Sequence, residues 1–455
     1  MPVIHAKQAL APDGWQTDIE VVIAPGGHIE TVGRQTRAPD HRVALLLPAP
    51  LNLHSHAFQR AMAGLTEARG PDPRDSFWTW RQLMYRFLDQ LTPDHAEAIA
   101  AQVFMEMLEA GYGAAAEFHY LHHDVGGAPY ANLAEMSERI VSAAIQSGIG
   151  LTLLPVHYQF GGCDQRPLQG GQRRFGNDPE RFLRLHADAA SAAAKGPADF
   201  VSGVAPHSLR AVDPAGLREV LAQAKTGPIH MHLAEQVAEV DEMLARHGAR
   251  PADWLLANHA VDGRWCLIHC TQMLDAETKA LAASGAVAGL CPITEASLGD
   301  GIFNGTGFLG AGGTIGFGSD SNIQISLFEE LKALEYSQRL RDRSRAALAT
   351  AERSTGRVLF EAAASGGAQA GGRKSGRIEA GMLADLVGLD DDNAWLCNRR
   401  GDAALDSLIF GGGGQACISD VWSAGRHMVK QGRHVRREAI VTAYIRTMQQ
   451  LETCL

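Results

Sequence analysis

Residues 43–56 read VALLLPAPLNLHSH, an apolar run that closes on two histidines, His54 and His56. In a strand, residues two apart point to the same face, so the two imidazoles of this pair are aimed together. Seven more short apolar runs follow, and each leads to polar residues. Residues 114–118 lead to His119-Tyr120, 150–156 to His157-Tyr158, 200–205 to His207-Ser208-Leu209-Arg210, and 229–231 to His232-Leu233-Ala234-Glu235. Residues 266–268 lead to His269, 286–290 to Thr294-Glu295, and 314–318 to Ser319-Asp320. Helical stretches rich in Ala and Leu separate the runs, among them 179–194 and 213–225, the second opened by Asp213-Pro214 as N-cap and first-turn residue. Strands alternating with helices predict an α/β fold, and eight such units predict closure into a (β/α)8 barrel of the TIM type. A barrel of this kind keeps its site at the C-terminal ends of its strands, so one architectural assumption gathers nearly every polar candidate into one pocket.

The two ends of the chain have a different texture. Residues 19–23 and 28–32 flank a Pro25-Gly26-Gly27 turn, a hairpin signal, and short Gly-punctuated apolar runs return at 384–389 and 421–429 before a predicted helix over 437–452. The ends are therefore expected to fold together as a small β-sandwich domain. Residues 1–46 form its first part and 379–455 its second with the terminal helix, and the catalytic barrel over 47–378 is inserted between them.

Composition narrows the function classes. The 455 residues are 45% hydrophobic and 20% charged, as in a soluble globular protein with a sizeable core, and the net charge of −10 without a basic run argues against a nucleic-acid partner. Any anionic substrate must then be met by local cations. Seven scattered cysteines without a CxxC pair read as reduced thiols. Neither a secretory signal nor a stretch of about 20 apolar residues is visible, so the expected location is cytoplasmic, with no membrane partner.

An HxH pair alone is as often two histidines at a solvated strand end as a metal claw. Beside His232 and Asp320 at two other strand ends, the set His54, His56, His232 and Asp320 reads as a shell for one catalytic zinc, which takes nitrogen and carboxylate ligands and leaves a position open to water. His230-Met231-His232 is a second HxH; His232 lies at the rim and is assigned as the ligand, His230 one layer deeper. Dinuclear barrels bridge their ions through a modified lysine at the end of the fourth strand. Here that place reads Val204-Ala205-Pro206-His207-Ser208, which favours one ion per subunit. The ligand set does not separate zinc from iron.

The motifs HSH at 54–56, HLAE at 232–235, His269, GSD at 318–320 and GRIEAGMLADLV at 376–387 resemble the amidohydrolase superfamily, in its mononuclear deaminase branch, over almost the whole chain. Narrower stretches are similar to the formimidoylglutamate deiminase family: residues 52–60 (NLHSHAFQR), 77–81 (FWTWR), 117–120 (EFHY), 207–210 (HSLR) and 294–301 (TEASLGDG). The resemblance implies hydrolysis of N-formimino-L-glutamate to N-formyl-L-glutamate and ammonia in histidine degradation. It implies Gln59, Tyr120, His207 and Arg210 as holders of the carboxylate-bearing portion, with Arg81 a weaker candidate, and a homodimer as the assembly.

The residues can support that chemistry. Zinc lowers the pKa of its water to about 7, supplying a nucleophile at neutral pH. Glu235, three residues past a ligand, is suited to carry a proton to the substrate nitrogen, and His269 and Asp320 to orient or deprotonate the water. Arg210 offers a planar fork for a carboxylate; His207 would be an alternative metal ligand if the shell were not already complete. Other features read as ordinary structure: Cys266 and Cys270 as packing, His122-His123-Asp124 as a surface loop, and Gly411–Gly414 as a turn. Two rival readings are a zinc deaminase acting on a purine or pyrimidine such as guanine or cytosine, and a barrel that binds without catalysis. The first would want stacking aromatics. The second has no use for Glu235 and His269.

Overall fold

In the computed structural model, which describes residues 1–67 and 84–452, the chain opens with four strands: β1 (Val3–Ala11), β2 (Gly14–Ile23), β3 (Ile29–Arg34) and β4 (His41–Pro48). Nine more carry the middle: β5 (Leu51–Ser55), β6 (Ala114–His119), β7 (Gly150–His157), β8 (Val201–Ser202), β9 (Ala205–Pro206), β10 (Ile229–Leu233), β11 (Trp265–His269), β12 (Val287–Leu290) and β13 (Thr314–Phe317). The last four are β14 (Leu386–Leu389), β15 (Ile418–Ser423), β16 (Arg426–Lys430) and β17 (Arg433–His434), ahead of a helix at Arg437–Glu452.

All ladders among β5–β13 are parallel. The fourth barrel strand is the broken pair β8 and β9, joined to β10 by bridges Val204–Ile229 and Ser208–His232, and a Ser55–Asp320 bridge brings the eighth strand back to the first. The barrel is thus closed, with every polar strand end at one mouth. Helices cover it as their patterning requires. At Pro179–Ala193 the buried positions Phe182, Leu185, Ala189, Ala192 and Ala193 follow the helical repeat, and Asp178 caps the helix by accepting from the Arg181 N–H. Asp213 caps Pro214–Gln223 in the same way through Gly216 N, at 2.6 Å.

The terminal segments make one hydrogen-bonded sheet of eight strands in the order β17-β16-β15-β14-β4-β1-β2-β3. Ile4, Ala6, Val21, Leu46, Ile378, Leu386 and Trp422 share its core, so neither end of the chain has a complete hydrophobic face without the other. The β2–β3 turn shows why Gly27 stands there: its φ is +80°, and a Cβ would lie 2.2 Å from the Ala424 carbonyl oxygen of the C-terminal half.

Two expectations need correction. Residues 43–53, read as one barrel strand, are two strands in two sheets: β4 in the terminal sheet as far as Pro48 and β5 in the barrel from Leu51. Pro48 and Pro50 lack the N–H a ladder needs, and between them the Ala49 N–H goes to the Asp385 carbonyl, at 2.9 Å. His122 and His123 are buried, where a surface loop was expected. Their backbone N–H groups both bond the Arg174 carbonyl, and their Nε2 atoms reach Val156 O and Gly176 O, each at 2.9 Å.

A buried ion network joins the sheet to the barrel. Arg373 donates to Asp199, just before β8, at 3.1 Å and to Asp385, just before β14, at 3.1 Å; Arg426 of β16 adds a second cation to Asp199 at 2.6 Å. Burial pushes the Asp199 carboxyl up, but the Arg426 hydrogen bond and the two guanidinium charges outweigh it and hold the group below its ordinary value. With a depressed folded pKa, this stabilisation is complete above the unfolded value of about 3.9 and is lost as pH falls through the lower folded value. Arg373→Met, which leaves the buried Asp385 carboxylate without its cation and Asp199 with Arg426 alone, is expected to cost about 3–5 kcal/mol. Denaturant unfolding should record that loss, with a shallower dependence on pH in the acid range than in the parent.

Candidate active site

Side chains from all eight strand ends meet at the mouth of the barrel. His56, Gln59, Tyr120, Tyr158, His207, Arg210, His232, Glu235, His269 and Asp320 line one pocket, with Met84, Tyr85, Phe175, Thr294, Leu298 and Ser321. His54 lies at its floor, fully buried. The first and last strands approach closely there because residue 318 is glycine: a Cβ would stand 2.7 Å from the backbone N and O of His54.

The expected ligands converge. Donor atoms of His54, His56 and His232 lie within 4.8 Å of one another, as do those of His54, His269 and Asp320. Asp320 Oδ1 is 3.6 Å from His54 Nε2 and 3.2 Å from His56 Nε2. His56 Nδ1 bonds the Phe118 carbonyl at 3.0 Å and His232 Nδ1 the His207 carbonyl at 3.1 Å. Each carbonyl fixes the proton on Nδ1 and turns an Nε2 lone pair inward, the arrangement a metal-ligating histidine needs. Burial pushes the pKa of His54, His56 and His232 down, and neighbouring imidazoles add to this at His54 and His232, so all three are neutral, the ligating form. Both ring nitrogens of His54 are buried without a hydrogen bond among the described residues. A polar ring kept so costs stability unless something is bound there, and with two more neutral imidazoles and a carboxylate beside it the donor set fits a divalent cation.

The groups expected to handle protons sit against this set. His269 Nε2 lies 4.0 Å from Glu235 Oε1 and 3.8 Å from Asp320 Oδ2, and its Nδ1 lies 3.2 Å from Glu295 Oε1. Burial opposes protonation of His269, but Glu235, Glu295 and Asp320 overcome it and lift its pKa to about 10. Burial raises Glu235 above the usual carboxylate range, against the pull of His269. Ala234, His269 and Asp320 all hold left-handed backbone, with φ of 50°, 71° and 46°. Non-glycine residues in this region store about 1–3 kcal/mol each, and such strain clusters at functional sites.

Of the residues expected to hold substrate, all four line the pocket. Gln59 Nε2 donates to Tyr120 Oη at 2.6 Å, which leaves the buried Gln59 Oε1 without a partner among the described residues. His207 Nδ1 pairs with Ser208 Oγ at 3.0 Å. Burial disfavours the Arg210 cation, but Tyr158, Glu239, Glu235 and Glu242 more than compensate, so it keeps its charge. Arg81 and the rest of residues 77–81 lie outside the described residues. At two strand ends only one of two adjacent polar residues reaches the pocket: Tyr120 and Tyr158 do, whereas His157 stacks on Phe182 at 4.9 Å and His119 packs edge-on to His122. His230 is buried a layer below and bonds the Ala370 carbonyl at 2.8 Å. Sequence reasoning assigned no role to Glu295, although it appeared at the seventh strand end, or to Glu239, which accepts from the N–H groups of Ala234 and Glu235 at 3.2 and 3.0 Å.

Comparison with known proteins gives the family and the fold. A model of the amidohydrolase family matches residues 45–428, and one described as the N-terminal domain of formimidoylglutamate deiminase HutF matches residues 1–43. The chain is 47% identical to the formimidoylglutamate deiminase of Pseudomonas aeruginosa, over 99% of this chain and 100% of that one. Among solved structures, an amidohydrolase from Brucella melitensis superposes with a TM-score of 0.94 at 48% identity, covering 99% of this chain and 100% of that one. A zinc-bound adenosine deaminase from Xanthomonas campestris shares the fold, with a TM-score of 0.82 at 21% identity over 99% and 98% of the two chains.

A cation that binds the folded site stabilises it by mass action. Zinc at a hundredfold excess over its dissociation constant is expected to add about 2.7 kcal/mol. Thermal unfolding of chelator-treated protein with and without zinc should show the shift, and His54→Ala should abolish it.

Proposed function

The chain belongs to the amidohydrolase family, and from that membership we propose that it hydrolyses N-formimino-L-glutamate to N-formyl-L-glutamate and ammonia, a step of histidine degradation. It is a hydrolase of carbon–nitrogen bonds other than peptide bonds. His54, His56, His232 and Asp320 would hold one zinc ion per subunit, which when bound would supply Lewis acidity that brings the pKa of water at the site to about 7. The observation that carries the reading is that one pocket holds Arg210, a cation for a carboxylate, together with Glu235 and His269, a pair for moving protons.

The residues divide the work. Arg210 takes a substrate carboxylate, and Gln59, Tyr120 and His207 add neutral donors and acceptors around the acyclic chain. His269, held in its charged form, orients the attacking water as a hydrogen-bond donor, and Asp320, 3.8 Å away, takes the water's proton. Glu235, 4.0 Å from His269, delivers a proton to the formimino nitrogen. When the tetrahedral carbon collapses, the C–N bond breaks, ammonia leaves with the protons it has gained, and the water oxygen remains as the formyl carbonyl. The same reading puts the enzyme in the cytoplasm as a homodimer with its thiols reduced.

Four aromatic rings in the pocket wall, Tyr85, Tyr120, Tyr158 and Phe175, would suit a flat nucleobase and make a purine or pyrimidine the second reading. Ammonia release decides between them. N-formimino-L-glutamate should turn over, and guanine, cytosine and adenosine should not; turnover of a nucleobase alone reverses the assignment. Glu235→Gln should keep its metal and lose about 10²-fold or more in kcat; near-normal turnover would remove Glu235 from the mechanism. Arg210→Met should lose chiefly in kcat/KM, and an unchanged value would mean that the carboxylates are held elsewhere.

A further inference from the structure

Behind the ligand set runs a chain of buried amides and hydroxyls to which the reaction above assigns nothing. Asn52 Nδ2 donates to Ser319 Oγ at 2.7 Å, and Ser319 Oγ donates to Asn322 Oδ1 at 2.6 Å. Asn322 Nδ2 donates to Ser55 Oγ and to the Asp320 carbonyl, both at 3.2 Å. The Glu117 carboxyl of β6 lies beside Ser55 and accepts from the Ala57 N–H at 2.7 Å. Asn52, Ser55 and Asn322 are fully buried, and Ser319 is 1% exposed.

The donors run one way: amide to hydroxyl, hydroxyl to amide oxygen, amide to hydroxyl. Ser319 Oγ both accepts and donates, so no two donors face each other. The chain crosses the seam where the first and last barrel strands meet, which carries little regular pairing. There the only backbone bonds in the described structure are His56 N to Asp320 O and Asp320 N to His54 O, each at 2.9 Å. Asp320 and Asn322 both have positive φ, 46° and 55°, a backbone state that aspartate and asparagine reach more readily than other non-glycine residues when a local hydrogen bond supports it. The Asn322 amide, bonded to the Asp320 carbonyl and to Ser55 between the two histidines, supplies that support.

We propose that Asn322 is a positioning residue, the centre of a clasp with Asn52, Ser319 and Ser55, that holds the Asp320 carboxylate against His54 and His56 before a cation arrives. The proposal rests on the reading of Asp320 as a ligand. Supporting hydrogen bonds around metal ligands are worth roughly 10–100-fold in metal affinity. Asn322→Asp keeps size and the acceptor for Ser319 but loses the donor to Ser55 and the Asp320 carbonyl. Zinc affinity, measured by competition with a chromophoric chelator on the full chain, should fall at least tenfold, in a protein whose metal-free unfolding midpoint is recorded alongside. If Asn322→Asp does not give folded protein, Ser319→Ala breaks the same chain one bond earlier and is expected to move affinity in the same direction. Zinc affinity within twofold of the parent in the folded variant overturns the clasp, whatever happens to the unfolding midpoint. Asp320→Asn in the same titration separates the two ideas. If it binds zinc as the parent does, the ligand reading has failed; if it binds weakly while Asn322→Asp binds normally, only the clasp has failed.

Discussion

Three neutral imidazoles and a carboxylate share one small buried space, and most of the architecture can be understood from what it takes to keep them there. Left alone, such a cluster is costly, because desolvated donors and acceptors with no partner oppose folding. The barrel provides the rigid frame. Each group stands at the end of a strand whose backbone is committed to a parallel ladder, and the carbonyls of Phe118 and His207 pin two of the rings. The cost is accepted in backbone as well, in the left-handed conformations at Ala234, His269 and Asp320.

The same crowding sets the electrostatics. Burial drives His54, His56 and His232 toward the neutral form, while His269, ringed by Glu235, Glu295 and Asp320, is driven toward the charged form. Imidazoles within a few ångströms thus divide into neutral rings and a charged one through their surroundings alone. Arg210 is set apart from them on the turn after the fourth strand, where Tyr158 and the carboxylates of Glu239, Glu235 and Glu242, on and just before the helix that follows the fifth strand, keep it charged in a protein that is acidic as a whole.

Much of this was legible in the chain because strand ends are punctuated: an apolar run followed by His, Glu or Asp survives any small error in strand boundaries. The HxH spacing, Glu235 three residues past His232, and Asp320 after a glycine are local signals. What was not legible depends on distance in space. The break between β4 and β5 turns on which sheet each half joins, and a continuous apolar run hides it despite two prolines. Whether His119 or Tyr120 faces inward depends on how the strand leaves the barrel. His122 and His123 looked exposed because their burial is made by Arg174, fifty residues away in sequence. The bonds from Asn52 and Ser55 to Ser319 and Asn322 span 267 residues, and short polar side chains beside a motif look like spacers until the seam closes.

The central claim is that these side chains, and no thiol, surround a single ion. X-ray absorption on zinc-loaded protein of known metal content tests it most directly, since three buried cysteines, Cys266, Cys270 and Cys291, belong to the same strands or strand ends. The account predicts one zinc per chain with only nitrogen and oxygen neighbours at about 2.0–2.2 Å. A sulfur neighbour near about 2.3 Å, or two zinc ions per chain, would contradict it.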